Sequence, residues 1–478
     1  MKSRYPVKLL AICAMNAPLV ASAQSRTPAS DPAPSPQPSE PSRAQQPATQ
    51  PAQPPPPPRA RVVLTLVSVV QRARENAPAV LVAVERARAA QAQIAVSRAG
   101  FLPSISLSGG ASVAISNGTQ VLGPLALNNT NISLQMDASA SMRWTLWDFG
   151  RTSGAVESAE FGSRAATLDI EAARRSAISS AVSAFYAVVL DKDSIENART
   201  TAGLRVRSLE VARGYTEAGA RPDIERTRAE VALASSRVDV ANAEVQFRSD
   251  LVALAGALGV DAASDLDVAS PSPLVAFEDP SLAAQRATVD RPEILANRIR
   301  TQQADQQVDN ARRGLFPTLS ASASAGVRYT ANWRYTEPMW TDTRGPSESF
   351  NAGVTLSWAA FDPTVRANIR VAEANAAAAR AQEAQSIVTV RTEAVQAVVA
   401  ARAARQVFEQ SEVLARGAAA NLAQAQGRYE AGAGTMLELV DAQAQDAQAR
   451  ASLVRSRWQW EAAKARAYVA QGQTDSLR

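Results

Sequence analysis

Two carboxylates, Glu438 and Asp441, stand three residues apart just beyond a glycine-rich turn, Gly432-Ala433-Gly434. At this spacing both fall on one face of a helix. Such a pair could serve as acid and base, draw cations, or simply solvate an exposed helix face. The composition weighs against catalysis. Histidine is absent, and the single cysteine, Cys13, lies in the N-terminal apolar run. Imidazole and thiolate ligands, a cysteine nucleophile and a Ser-His-Asp triad are thereby removed together. No paired acids sit in an aromatic or glycine-rich pocket pattern, so carboxylate hydrolysis ranks last among the readings. The chain is not expected to be an enzyme or to carry a cofactor or a metal.

The elements that must position these acids are long. Residues 151–218 and 364–431 contain no proline and consist mostly of Ala, Arg, Glu, Val, Leu and Ser. At 1.5 Å per residue each predicts a helix of roughly 100 Å, against a mean globular helix of about 11 to 12 residues. That length calls for a coiled coil, a rod or a tube. The first ends at Gly219-Ala220-Arg221 and Pro222, the second at Gly432-Ala433-Gly434, and shorter helices return over 223–258 and 436–470.

The chain is duplicated. Gly100-Phe101-Leu102-Pro103 recurs as Gly314-Leu315-Phe316-Pro317 and Trp147-Asp148 as Phe361-Asp362, both at an offset of 214 residues; Ala218-Gly219-Ala220 recurs as Ala431-Gly432-Ala433 at 213. Three landmarks in one order mark two copies of one unit. Each copy opens with a helix (66–99, then 292–312), which a proline stops. The period then changes to two, as in Ala138, Ala140, Met142, Trp144 and Leu146 against Ser139, Ser141, Arg143 and Thr145. Strands are predicted over 104–121 and 132–147, joined by a loop carrying Gly123-Pro124 and Asn128-Asn129. In the second copy they fall over 318–335 and 349–361, the loop carrying Pro338 and Gly345-Pro346.

The fold class is therefore mainly α with a small β part, in two tandem helix-strand-strand-helix-helix repeats over 62–260 and 282–472. A linker at 259–281 separates them and a short tail occupies 473–478. The two shorter helices of each copy sum to about the length of the long one, so stacked end to end they match it. Their break predicts a belt of irregular structure at mid-height. No apolar run after the N-terminal segment is long enough for a transmembrane helix, so any span is β. Each strand exceeds the roughly 9 to 11 residues that a tilted transmembrane strand needs, and four strands cannot close a barrel without further copies of the chain. A soluble sheet with buried faces is the alternative.

At the N-terminus, Lys2, Arg4 and Lys8, an apolar core and Ala21-Ser22-Ala23 predict a signal peptide over residues 1–23. Residues 24–61 are proline-rich and predict a disordered, polyproline-type arm. The formal charge of +5 falls to +2 without the three leading cations, and nothing in it argues for nucleic acid.

A proline-ended helix, Gly-x-x-Pro, a strand pair, Asp148-Phe149-Gly150-Arg151, a long alanine-rich helix and a glycine turn with an acid beyond it, all duplicated, resemble the TolC family of outer-membrane efflux and secretion proteins. The resemblance covers residues 64–472. It implies a homotrimer in outer-membrane lipid, with a twelve-stranded β-barrel, a long periplasmic α-helical barrel and an equatorial mixed region. It also implies a periplasmic adaptor (membrane fusion) protein and an inner-membrane pump as partners. By the same resemblance Gly219, Ala220, Arg221, Gly432, Ala433 and Gly434 are adaptor-docking tips, and Glu438 and Asp441 line a periplasmic gate. In the first copy Glu225 aligns with Glu438, but Arg228 aligns with Asp441. Gly434 stands where many relatives carry an arginine that ties the mouth shut, so here the latch is expected to be weaker or built otherwise. Pro222 and Pro363 depart from the family pattern without breaking the architecture. The function implied is a passive exit duct of a tripartite efflux or type I secretion system. Its rival is a trimeric adhesin-like stalk with no through-channel.

Overall fold

The computed structural model describes residues 62–122, 125–261, 266–275, 279–336 and 339–474. All the described residues belong to one compact unit. The predicted signal peptide and proline-rich arm lie outside the described residues, as do Gly123, Pro124 and Pro338.

The elements run β1 (Val62–Leu64), α1 (Leu66–Asn76), α2 (Pro78–Ala99), β2 (Ser104–Leu122), β3 (Leu125–Trp147), α3 (Arg151–Glu217) and α4 (Asp223–Leu258). The second copy adds β4 (Leu266–Val268), α5 (Pro280–Asp290), α6 (Pro292–Arg312), β5 (Thr318–Thr336), β6 (Met339–Ser357), α7 (Pro363–Glu430) and α8 (Met436–Ala470). Both long helices form over almost the predicted ranges. α7 starts one residue earlier, with Pro363 in the first turn, where its missing N–H is no loss, and with Asp362 capping the Thr364 N–H at 2.8 Å.

The helix expected over 66–99 is two helices. Pro78 lacks an N–H and forces Ala77 into an extended conformation, ψ 134°, so α1 stops and α2 starts anew. Pro292 does the same between α5 and α6, at Arg291. The belt at mid-height is more ordered than the proline content suggests. β4 pairs with β1 in parallel, Val62 opposite Leu266 and Leu64 opposite Val268, and α5 occupies 280–290 behind an Asp279 cap.

The columns follow from the contacts. α3 packs on α1 and α2 along one half and on α4 along the other, while α7 packs on α5 and α6 and then on α8. α4 ends against the α1–α2 break, where Gly259 takes φ +66° and a Cβ would stand 2.7 Å from the Asn76 carbonyl. α3 also packs on α6 and α8, which joins the two repeats. Alanine dominates these contacts, and the large apolar side chains gather at two levels. One cluster at mid-height holds Leu64, Val69, Phe185, Tyr186, Leu254, Leu258, Trp458 and Val469. A second near the turns holds Leu209, Leu233, Leu422, Tyr429, Met436 and Leu439. Into the mid-height level comes a charged staple. Lys464 and Glu461, both buried, bond the carbonyl and the N–H of Leu274 at 2.6 and 3.1 Å, tying the linker to α8.

The four long strands form one antiparallel sheet in the order β2-β3-β5-β6, so β2 and β6 are open edges. They outrun the sequence expectation. Asn128-Asn129 and Gly345-Pro346 lie inside strands, and the ladders run to Leu122 opposite Leu125 and Thr336 opposite Met339. Pro346, opposite Tyr329, lies on β6, an edge strand of this sheet, the position where proline is usual. At the other end β6 stops at Ser357, short of the predicted Phe361.

Candidate functional site

The sheet sorts its residues by chemistry. Side by side across the four strands stand Ile105, Met142, Ala323 and Ala352, then Leu107, Ala140, Ala325 and Phe350. The opposite face carries Ser106, Ser141, Ser324 and Asn351, then Ser108, Ser139, Gly326 and Ser349, then Gly110, Asp137, Arg328 and Ser347. Strand alternation thus makes one face apolar and the other polar over all four strands. Charges on the apolar face are confined to β6, at Glu348, Arg344 and Asp342. Aromatic rings mark its two ends: Trp144 and Trp147 towards the helices, Trp333, Tyr335 and Trp340 towards the hairpin turns. Among the described residues no helix is long and apolar enough to cross a membrane.

Sheet and helices meet at a duplicated joint that sequence reading missed. Trp144 Nε1 donates to the Phe101 carbonyl at 2.9 Å, and Trp358 Nε1 to the Leu315 carbonyl at 3.0 Å, the same bond 214 residues later. The signal was in the duplicated Trp and Gly-x-x-Pro positions. Asp148 accepts from the N–H groups of Gly150 and Thr152, while Phe149 and Gly150 both take positive φ, 55° and 86°. Arg313 then donates to the Gly150 carbonyl at 2.6 Å, and Phe149 stacks on Phe316.

At the far end the two turns are built alike. Gly219 and Gly432 take φ +69° and +77°, conformations that suit glycine, and each helix closes on a 6→1 bond, Ala220 N–H to the Tyr215 carbonyl and Ala433 N–H to that of Arg428. The turns are also tied to each other. Arg221 donates to the carbonyls of Gly432 and Gly434 at 3.1 and 2.9 Å, pairs with Glu225 at 3.6 Å and lies over the Tyr429 ring. Tyr429, buried, donates its hydroxyl to Glu225 at 3.1 Å, and Tyr215 donates to the Glu430 carbonyl at 3.2 Å. Burial first, and then the charge of Glu225, pushes the Tyr429 phenol up to about 12. Gly434 is tightly packed, since a Cβ there would stand 3.1 Å from the Tyr429 nitrogen and 3.2 Å from Arg428. Arg221, from the other turn, brings a cation to this level beside Arg428.

The structure brings all six tip residues to one end, but it parts the two acids from the tie. Glu438 and Asp441 are both exposed on α8, and Glu438 faces Arg428 at 3.7 Å. Glu225, the first-copy counterpart of Glu438, is buried inside the tie. The Arg221–Glu225–Tyr429 set escaped sequence reading because its members come from both repeats. Among the described residues no cluster of three or more acidic, histidine or cysteine side chains could hold a metal ion.

A two-faced sheet carried on long helices that end in tied turns is the arrangement of an outer-membrane channel protein. Comparison with known proteins agrees. The chain belongs to the outer membrane efflux protein family, the TolC family of its resemblance, which it matches over residues 69–260 and 283–473. Its place is accordingly the outer membrane, with the helices extending into the periplasm. Protein CyaE of Bordetella pertussis is 28% identical over 317 residues, 66% of this chain and 63% of that protein, so the chain spans under two thirds of CyaE. The fold matches the CmeC outer membrane channel of Campylobacter jejuni, with a TM-score of 0.67 at 19% identity over 86% of each chain. It also matches the outer membrane protein VceC of Vibrio cholerae, at 0.65 and 20% identity over 85% of this chain and 96% of that one.

Proposed function

We propose that the chain is one third of an exit duct for a tripartite efflux or type I secretion system. Three copies align their sheets edge to edge into a twelve-stranded barrel, with the apolar face to lipid and the polar face to a water-filled lumen. The helical columns continue the duct through the periplasm to the turns, where an adaptor and an inner-membrane pump engage it. Substrate crosses without covalent change. The observation that carries this reading is the sheet: one face apolar, one face polar, and both edges open.

The mouth lies at the turns. The Arg221–Glu225–Tyr429 tie holds the two hairpins of one chain together in the closed form, and adaptor contact at Gly219–Arg221 and Gly432–Gly434 releases it. Glu438 and Asp441, exposed and on one face of α8, then ring the constriction with six carboxylates that favour cations. Planar-bilayer recording tests the gate: Glu438→Ala with Asp441→Ala lowers cation preference and alters conductance, whereas unchanged values would refute the assignment. A stalk without a channel has no use for a two-faced sheet. A native chain found soluble and labile in SDS, without a heat-modifiable trimer in the outer membrane, would favour it.

A further inference from the structure

On the polar face of the sheet the charged residues among the ladder positions are Arg143 and Asp137 on β3 and Arg328 and Arg334 on β5. All four are exposed. Arg143 stands opposite Ser322, so the arginines fall level with positions 322, 328 and 334 of β5, at even steps of about 20 Å along the strand. The rows between them are neutral, mostly Ser, Thr, Asn, Gln and Gly. Ser106 and Ser141 share a hydrogen bond of 2.7 Å there, and Ser108 and Ser139 one of 2.8 Å.

These cations are not neutralised within the chain. Asp137 lies between Gly110 and Arg328 in the ladder, yet its carboxylate leans to Gly110, where a Cβ would stand 3.2 Å from Oδ1. Among the described residues Arg143, Arg328 and Arg334 form no ion pair. The acids of β6, Asp342 and Glu348, are on the opposite face, where Asp342 pairs with Arg344 at 2.9 Å. A wet wall needs only the hydroxyls and amides of the neutral rows. Fixed cations aimed into the same space do more: they attract anions.

We infer that the lumen of the barrel takes anionic cargo, and holds most strongly an extended chain of carboxylates or phosphates long enough to touch two levels of arginine at once. The inference names the cargo class of the proposed duct and rests on that reading. Three copies place nine arginines and three aspartates in one lumen, the arginines as three rings. A twelve-stranded barrel of ordinary tilt has a radius of roughly 12 Å. Extended arginine side chains therefore carry their heads to within a Debye length of the axis, about 8 Å at physiological salt. The lipid around the wall focuses the field, and guanidinium forks pair with carboxylate and phosphate alike. Neighbouring rings lie more than a Debye length apart, so a small anion answers to one ring at a time, whereas a chain longer than about 20 Å answers to two. This sign is opposite to that of the carboxylate ring proposed for the mouth. The two ends of the duct can thus be told apart by what blocks them.

Polymer block of the full-length trimer in planar bilayers tests this, with polyglutamate or inorganic polyphosphate added on the barrel side. Native channels are expected to block at a concentration at least tenfold below that needed for Arg143→Gln with Arg328→Gln and Arg334→Gln. The polyanion that blocks at the lower concentration identifies the acid group of the cargo. Asp137→Asn, which removes a negative charge without changing the side chain's size, is expected to lower the blocking concentration at least threefold, and it serves alone if the triple variant forms no trimer. Conducting native trimers that polylysine blocks from the barrel side at a lower concentration than either polyanion would overturn the inference and leave the duct standing. So would polyanion block that is unchanged in the triple variant or in Asp137→Asn. A native chain that forms no trimer and no conducting channel would sink both.

Discussion

Replacing Tyr429 by phenylalanine removes one hydroxyl from the turns and leaves the ring against Tyr215 and Arg221. That hydroxyl donates to Glu225 at 3.1 Å, and both side chains are buried. A hydrogen bond to a charged acceptor contributes about 1.5–3 kcal/mol. Glu225 keeps Arg221 at 3.6 Å, so the lower part of that range applies. In the proposed gate, a loss of about 1.4 kcal/mol would shift the closed-to-open ratio about tenfold per chain. Arg221→Ala removes more: two carbonyl bonds, the ion pair and the ring contact. The double variant is expected to fall short of the sum, because both side chains act on Glu225. Single-channel recording in planar bilayers reads the effect as open probability, with the native trimer as reference. With its phenol lifted to about 12, Tyr429 remains a donor up to about pH 10, so the tie does not loosen through Tyr429 at mildly alkaline pH. Intact trimers of Tyr429→Phe and Arg221→Ala that open no more often than the native protein would refute the tie as a latch.

Other perturbations probe the frame. Gly154→Ala places a Cβ 2.2 Å from Arg313 Nη1, which must leave the Gly150 carbonyl; thermal unfolding should show a loss of about 1–2 kcal/mol. Gly259→Ala combines a positive φ with a Cβ 2.7 Å from a backbone carbonyl, and a loss above about 2 kcal/mol is expected because backbone cannot step aside as a side chain can. Asp191 on α3 is buried, and burial, then the hydrogen bond and charge of Asp250 on α4, push its carboxyl up to about 7 from 3.8. The folded chain therefore holds a proton that the unfolded chain releases, so this contribution is full below about pH 4 and is lost as pH rises through about 7. Asp191→Asn should flatten that slope, on the order of 1 kcal/mol between pH 5 and 8 after allowance for solvent screening; equal slopes in melting curves would refute it.

Much of the frame was legible because it rests on local chemistry. Proline-free alanine-rich stretches set the long helices, glycines set the turns, and strict alternation set the faces of the sheet. What escaped depends on partners distant in sequence. β1 and β4 are three residues each and pair across some two hundred positions, too short to carry a period. Asn128-Asn129 and Gly345-Pro346 carry turn chemistry, yet ladder neighbours, on β2 for the first and on β5 for the second, hold both strands extended through them. Ala77-Pro78 carried a breaking signal that the helical composition around it obscured. Of the candidate site, the turns and the acids could be read off the chain; the tie across the turns could not, since Arg221 and Tyr429 belong to different repeats.

The offset between repeats, 214 at Asp148 and Asp362, is 213 at Gly219 and Gly432. The first copy thus has one residue more between its sheet joint and its turn. One residue turns a helix by about 100°, so side chains that point alike at the sheet end point apart at the turns. Tyr429 answers to Thr216 in distance from the turn, although it is Tyr215 that lies one repeat earlier. The two turns of a chain are therefore unlike surfaces on a like backbone. In the proposed duct, anything that caps the mouth would meet them in alternation, and would have to grip one kind, at one copy per chain, or bring two different faces of its own.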